Sequence, residues 1–69
     1  MKIEFVLAGK IIKKKITEKT LLKEILKEIF TEEGYNPGPY YYVTYQDDVI
    51  DIECLAKDFL DMNLQINFK

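Results

Sequence analysis

The chain predicts an α+β domain in which a single mixed sheet is covered on one face by a single helix. Two terminal segments and one central segment carry that expectation. MKIEFVL at the start and NLQINFK at the end alternate apolar and polar residues with the period of a half-buried strand. Between them, LLKEILKEIFTEEG repeats its apolar residues at helical spacing. With 69 residues the chain is one domain, residues 1–69, and leaves little room for a deep cleft beside its core.

In the first strand Met1, Ile3, Phe5 and Leu7 share one face, and Lys2, Glu4 and Val6 the other. Ala8-Gly9 is the turn, since glycine takes the positive φ of a tight hairpin at little cost. KIIKKKIT is the second strand. Lys14 there shares parity with Ile12 and Ile16. It either snorkels at the sheet edge, is turned outward by a bulge, or is held for a partner's carboxylate.

Thr20 is the expected N-cap of the helix. Leu21, Leu22, Ile25, Leu26, Ile29 and Phe30 form its apolar stripe, Lys23, Glu24, Lys27 and Glu28 its polar side, and Gly34 its left-handed end. After a Pro/Gly loop come a strand at Tyr40–Tyr45, a turn at Gln46–Asp48 and a short strand at Val49–Ile52. ECLAKDFLDM then makes a short helical turn with Leu55, Phe59 and Leu60 inward. Leu64, Ile66 and Phe68 face the core in the last strand. The long crossover lets this strand lie parallel to the first.

Composition narrows the function classes. Ten lysines oppose twelve acids, for a net charge of −2, and there is no arginine, histidine or tryptophan. Phosphate backbones are gripped by clustered positive charge, so nucleic acid is disfavoured as a partner. A single cysteine, Cys54, makes no internal disulfide and holds no zinc or iron–sulfur cluster alone. It reads as a small buried hydrophobe in a reducing cytoplasm. The apolar runs are too short for a membrane span, and the N-terminus lacks the pattern of a signal peptide. The lysine- and isoleucine-rich composition suits an AT-rich prokaryotic or phage genome.

At this point the chain resembles the ubiquitin-like β-grasp superfamily. MKIEFVLAGKII is similar to ubiquitin's opening hairpin in alternation, turn position and the Gly-Lys after the turn. KTLLKEIL resembles the family's helix start, and TYQDDVIDIECLAKDFLDMNLQINF its closing half. The sulfur carriers of thiamine and molybdopterin synthesis are similar to the same pattern. The resemblance implies a β-grasp fold. It also implies either an interaction module or a carrier whose C-terminal Gly-Gly is adenylated and joined to sulfur or an amine. This chain ends INFK, and no glycine follows Gly38, so the carrier role is expected only for a form bearing that tail.

Several motifs carry a bland and a sharper reading. YYYVTY fills a strand with β-forming rings, Tyr41, Val43 and Tyr45 inward; its outward rings, Tyr40 and Tyr42, can also anchor a partner or stack on a single strand of nucleic acid. Lys13–Lys15 on an edge strand blocks sheet-to-sheet aggregation or docks an acidic partner. Asp47, Asp48 and Asp51 are solvated turn residues with no spaced calcium-loop pattern. No nucleophile–base arrangement and no glycine-rich phosphate loop occurs in the sequence. The expectation is therefore a non-catalytic protein-interaction module, without cofactor or metal. Its partner is another protein, met through a mixed sheet face carrying Tyr40, Tyr42, Lys13, Lys15 and Gln65.

Overall fold

The structure, a computed structural model, describes residues 1–69. Two strands, β1 (Lys2–Leu7) and β2 (Lys10–Lys15), are followed by helix α1 (Leu22–Glu33). Strands β3 (Tyr41–Tyr45) and β4 (Asp48–Ile50), a 3-10 turn at Ala56–Phe59 and strand β5 (Asn63–Phe68) complete the chain. The five strands form one sheet in the order β2-β1-β5-β3-β4. β1 and β5 run parallel, as the long crossover between them allows; the other neighbours are antiparallel.

Both hairpins close through two residues of left-handed backbone. Ala8 and Gly9 have φ of 50° and 80°, and Gln46 and Asp47 have φ of 50° and 69°. Two successive positive φ values give the turn whose twist matches that of its strands. The second turn therefore uses Gln46 and Asp47 alone. Asp48 is already paired with Tyr45, so β4 spans Asp48–Ile50 and not Val49–Ile52.

The core is a single apolar layer between the sheet and α1. Ile3, Phe5 and Leu7 from β1, Val43 from β3, and Leu64 and Ile66 from β5 meet Leu22, Ile25, Leu26, Ile29 and Phe30 from the helix. Each is buried, Phe5, Val43, Leu64 and Leu26 completely. Tyr41 and Tyr45 pack against this layer from half-buried positions, so Val43 is the one fully buried residue of the tyrosine-rich strand. In the 3-10 turn the buried residue is Ala56; Leu55, Phe59 and Leu60 stay half-buried at the core's rim.

The helix start differs from the expectation. Thr20 does not cap it: its hydroxyl accepts the Thr17 N–H at 3.0 Å. The capping residue is Leu21, whose N–H donates to the Glu24 carboxylate at 2.9 Å. Leucine has no acceptor to return, so that is half of a capping box. Backbone from elsewhere completes it. The N–H groups of Leu22 and Lys23 donate to the carbonyls of Cys54 and Ile52, each at 3.0 Å, and Ala56 N–H donates to Thr20 at 2.8 Å. The loop after β4 thus meets two of the N–H donors that any helix start leaves open. That loop is where Cys54 sits, half-buried rather than in the core.

Lys14 lies directly opposite Ile3, in an unbroken ladder, so its side chain is on the helix side and no bulge turns it outward. Because β2 is the sheet edge, the side chain runs under α1 and its ammonium meets Glu28 at 2.6 Å and Glu32 at 2.8 Å. The Lys14 side chain is 15% exposed. The two carboxylates raise its pKa above the ordinary lysine value, with hydrogen bonding to Glu28 the largest cause. Lys10 pairs with Glu33 at 2.8 Å in the next turn of the helix.

Candidate functional site

With α1 on one face, the other face of the sheet has nothing over it. Alternation determines which residues it carries. The register sets Ile11, Val6, Gln65, Thr44 and Val49 side by side, one from each strand in sheet order. Ile11 is 60% and Val49 71% exposed, large values for aliphatic side chains in ordered strands. One row below lie Lys13, Glu4 and Asn63; one row above lie Asn67 and Tyr42. The Asn67 amide donates to the Thr44 hydroxyl at 3.1 Å, tying the upper row to the middle one.

The residues expected to bind a partner share this face unevenly. Gln65 sits at its centre, between Val6 and Thr44. Lys13 and Lys15 are on the β2 edge, opposite Glu4 and Lys2. Tyr42 is on β3, half-buried. From Lys15 to Tyr42 is three strand spacings across and six residues along, about 25 Å by ordinary sheet dimensions. Tyr40 is not a strand residue. It precedes β3 in a turn in which its N–H donates to Pro37, and it is 66% exposed. The five residues therefore divide into a basic corner, a tyrosine corner and a central amide, and the aliphatic row joins them. Val49 was not among the expected residues. Its opposite parity to Ile50 is the signal that places it outward.

The basic corner has an unusual balance. Lys2 and Lys15 are direct cross-strand neighbours, and like charges so placed destabilise a sheet. Lys2, Lys13 and Lys15 form no salt bridge; the paired lysines are Lys10, Lys14 and Lys23.

A second feature lies at the helix end. Gly34 stops α1 with φ of 81°, and the next N–H, of Tyr35, donates to Phe30 at 2.8 Å. This arrangement brings an apolar residue after the glycine back onto the helix. The Tyr35 ring meets Phe30 edge-on at 6.5 Å and stacks on Phe68 at 5.3 Å; Tyr41 meets Phe30 at 4.8 Å. Phe68 is 43% exposed, so it closes this aromatic corner rather than the dry core. Burial raises the Tyr41 hydroxyl's pKa. Beside the corner an open groove of about 530 Å³ runs between Lys23, Lys27 and Thr31 of α1 and the loop from Tyr35 to Gly38. Lys23 is held by Glu53 at 2.9 Å, which raises its pKa.

Asp47, Asp48 and Asp51 are exposed and gather no third ligand around a common point. No helix is long and apolar enough to cross a membrane. The fold and its bare face define a small α+β domain, a mixed five-stranded sheet with one helix. No protein-family model, curated protein or solved structure matches the chain.

Proposed function

We propose that this chain is a non-catalytic, ubiquitin-like β-grasp module that binds another protein through the uncovered face of its sheet. Strand order β2-β1-β5-β3-β4, with a parallel central pair and one helix across a single face, is compatible with that fold. The carrying observation is the aliphatic row. Ile11 and Val49 stand largely in solvent at either end of it, with Val6 between them, on a face that no other part of the chain covers. Gln65 and Thr44 lie in the same row between Val6 and Val49, so the face offers a partner two exposed apolar ends around a polar middle.

The rim supports an acidic partner with apolar contacts. Lys2 and Lys15 face each other across the strands with no salt bridge, and only Lys13 has an acid, Glu4, opposite it, so acidic side chains on a partner relieve the repulsion at that corner. Tyr42, and Tyr40 beyond it, supply rigid rings at the other end, the residue type enriched where binding energy concentrates.

Photo-crosslinking in the native host tests this. A crosslinkable residue at Gln65, at the centre of the face, should yield a discrete adduct, and one at Lys27, on the helix, should not. The Gln65 adduct should disappear in a Tyr42→Ala, Ile11→Ala variant that keeps its thermal unfolding transition. Equal adducts from both positions, or an adduct indifferent to those two substitutions, would remove the sheet face as the binding surface.

A further inference from the structure

The sheet has two free edges of opposite charge. Outside the sheet ladders, no backbone group of Lys10–Lys15 or of Asp48–Ile50 has a hydrogen-bond partner. Alternation of bonds in a two-residue hairpin turns the N–H and C=O of Ile11, Lys13 and Lys15 outward on the β2 edge, and those of Val49 outward on the β4 edge. On the β2 edge Lys10 and Lys14 are taken up by Glu33, Glu28 and Glu32 of the helix, which leaves Lys13 and Lys15 without a salt bridge; the β4 hairpin carries Asp47 and Asp48, with Asp51 following, and no base.

Lysine on an edge is the usual defence against sheet-to-sheet pairing. Here that defence is selective. It repels a second β2, and the aspartates repel a second β4, yet each edge attracts the other. The strand directions allow the mixed contact. β4 runs with β1 and against β2, so a second copy placed beside the first in the same orientation brings its β2 antiparallel to β4, with both helices on the same side. One register matches apolar and charged positions at its two ends. With Val49 opposite Lys13, both aimed outward by their own hairpins, Ile50 faces Ile12 and Asp47 faces Lys15, while Asp48 lands at Lys14, whose charge Glu28 and Glu32 already hold.

We infer that the protein associates with a second copy of itself, head to tail, by pairing the acidic β4 edge of one molecule with the lysine-rich β2 edge of the next. This inference rests on the edges and is independent of the reading of the open face. Such a contact does not close on itself, because each copy keeps one free edge of each kind, so association continues into short open chains. β4 has three residues, so few ladder bonds form and charge supplies much of the attraction. Added salt therefore weakens it.

Sedimentation equilibrium of the full chain tests the inference. Mass should rise above the monomer's 8.2 kDa with concentration at low salt, and fall back toward it in about 0.5 M salt, where exposed charges are largely screened. Two charge reversals sharpen the result. Lys13→Glu with Lys15→Glu makes both edges acidic; Asp47→Lys with Asp48→Lys makes both basic. Each variant alone should stay monomeric, and an equimolar mixture should regain mass, because unlike edges again face each other. If the turn substitution at Asp47 unfolds the second variant, Asp48→Lys alone serves in the mixture. A wild-type chain that stays monomeric at low salt and millimolar concentration overturns the inference. So does a mixture no heavier than its components. Association that survives both reversals but is lost in Tyr42→Ala overturns it as well, and assigns self-contact to the open face.

Discussion

The two flanks of α1 are closed in different ways. On the β2 side Lys10 and Lys14 reach up from the edge strand to Glu33, Glu28 and Glu32. On the β3 side Phe30 meets Tyr35 and Tyr41 edge-on, Phe68 stacks on Tyr35, and a groove stays open beside them. Both flanks cover the margin of the same core. The difference follows from position. β2 is an edge whose helix-side residues are long and charged, so the margin is sealed by side chains that keep one end in water. β3 is an inner strand with rings on its helix side, so that margin is sealed by area. The first closure weakens with ionic strength, and the second does not.

The contrast breaks most severely at Phe30. Truncation to alanine removes the ring that Tyr35, Tyr41 and Phe68 all touch, and should cost about 3–5 kcal/mol in urea unfolding. In a domain of this size that approaches the whole stability, so the variant should be largely unfolded at 37 °C. Phe68→Ala spares the buried ring and removes a 43% exposed side chain together with its contacts to Phe30 and Tyr35. It should cost about 1–2 kcal/mol by the same measurement, with no change in salt dependence.

Lys14→Met keeps the stem under the helix and deletes the charge. Ion pairs open to water contribute little, so the midpoint should move by less than about 1 kcal/mol in either direction. The informative quantity is the slope: wild-type stability should change with added salt more than the variant's does. Alkaline pH gives the last separation. Lys14 and Lys23 are raised above 10.5 by their glutamate partners, and Tyr41 above 10.0 by burial. A raised pKa contributes stability that is complete below the ordinary value and is lost as pH climbs through the folded one. Unfolding midpoints should therefore be flat from neutral pH to about 10 and decline beyond it, less steeply in Lys14→Met.

Strands β1 and β5 were legible because their alternation is unbroken and one face of each is dry. The helix body was legible for the same reason. Its start was not: the groups that cap Leu22 and Lys23 are carbonyls about thirty residues further along the chain, and no local pattern announces them. Lys14 was ambiguous because parity alone cannot tell a snorkelling lysine from a bulge. The acids that receive it, Glu28 and Glu32, lie on another element. The candidate surface was half legible. Parity gave the face of Tyr42, Lys13, Lys15 and Gln65, but the strand order, which separates them, is a tertiary fact. The residue type of Tyr40 suits a strand, but the turn from Pro37 holds it outside.

One consequence follows from where β5 lies. It is the last of the five strands to be synthesised, and it is the middle plank of the sheet, with β1 on one side and β3 on the other. Until it emerges, the nascent polypeptide holds two separate hairpins, each marginal alone in water. Burial of Phe5 and Val43 in a shared interior must await synthesis of Leu64 and Ile66. Cutting the gene between β4 and β5 should yield two fragments that are each unstructured apart and form a native-like complex when mixed.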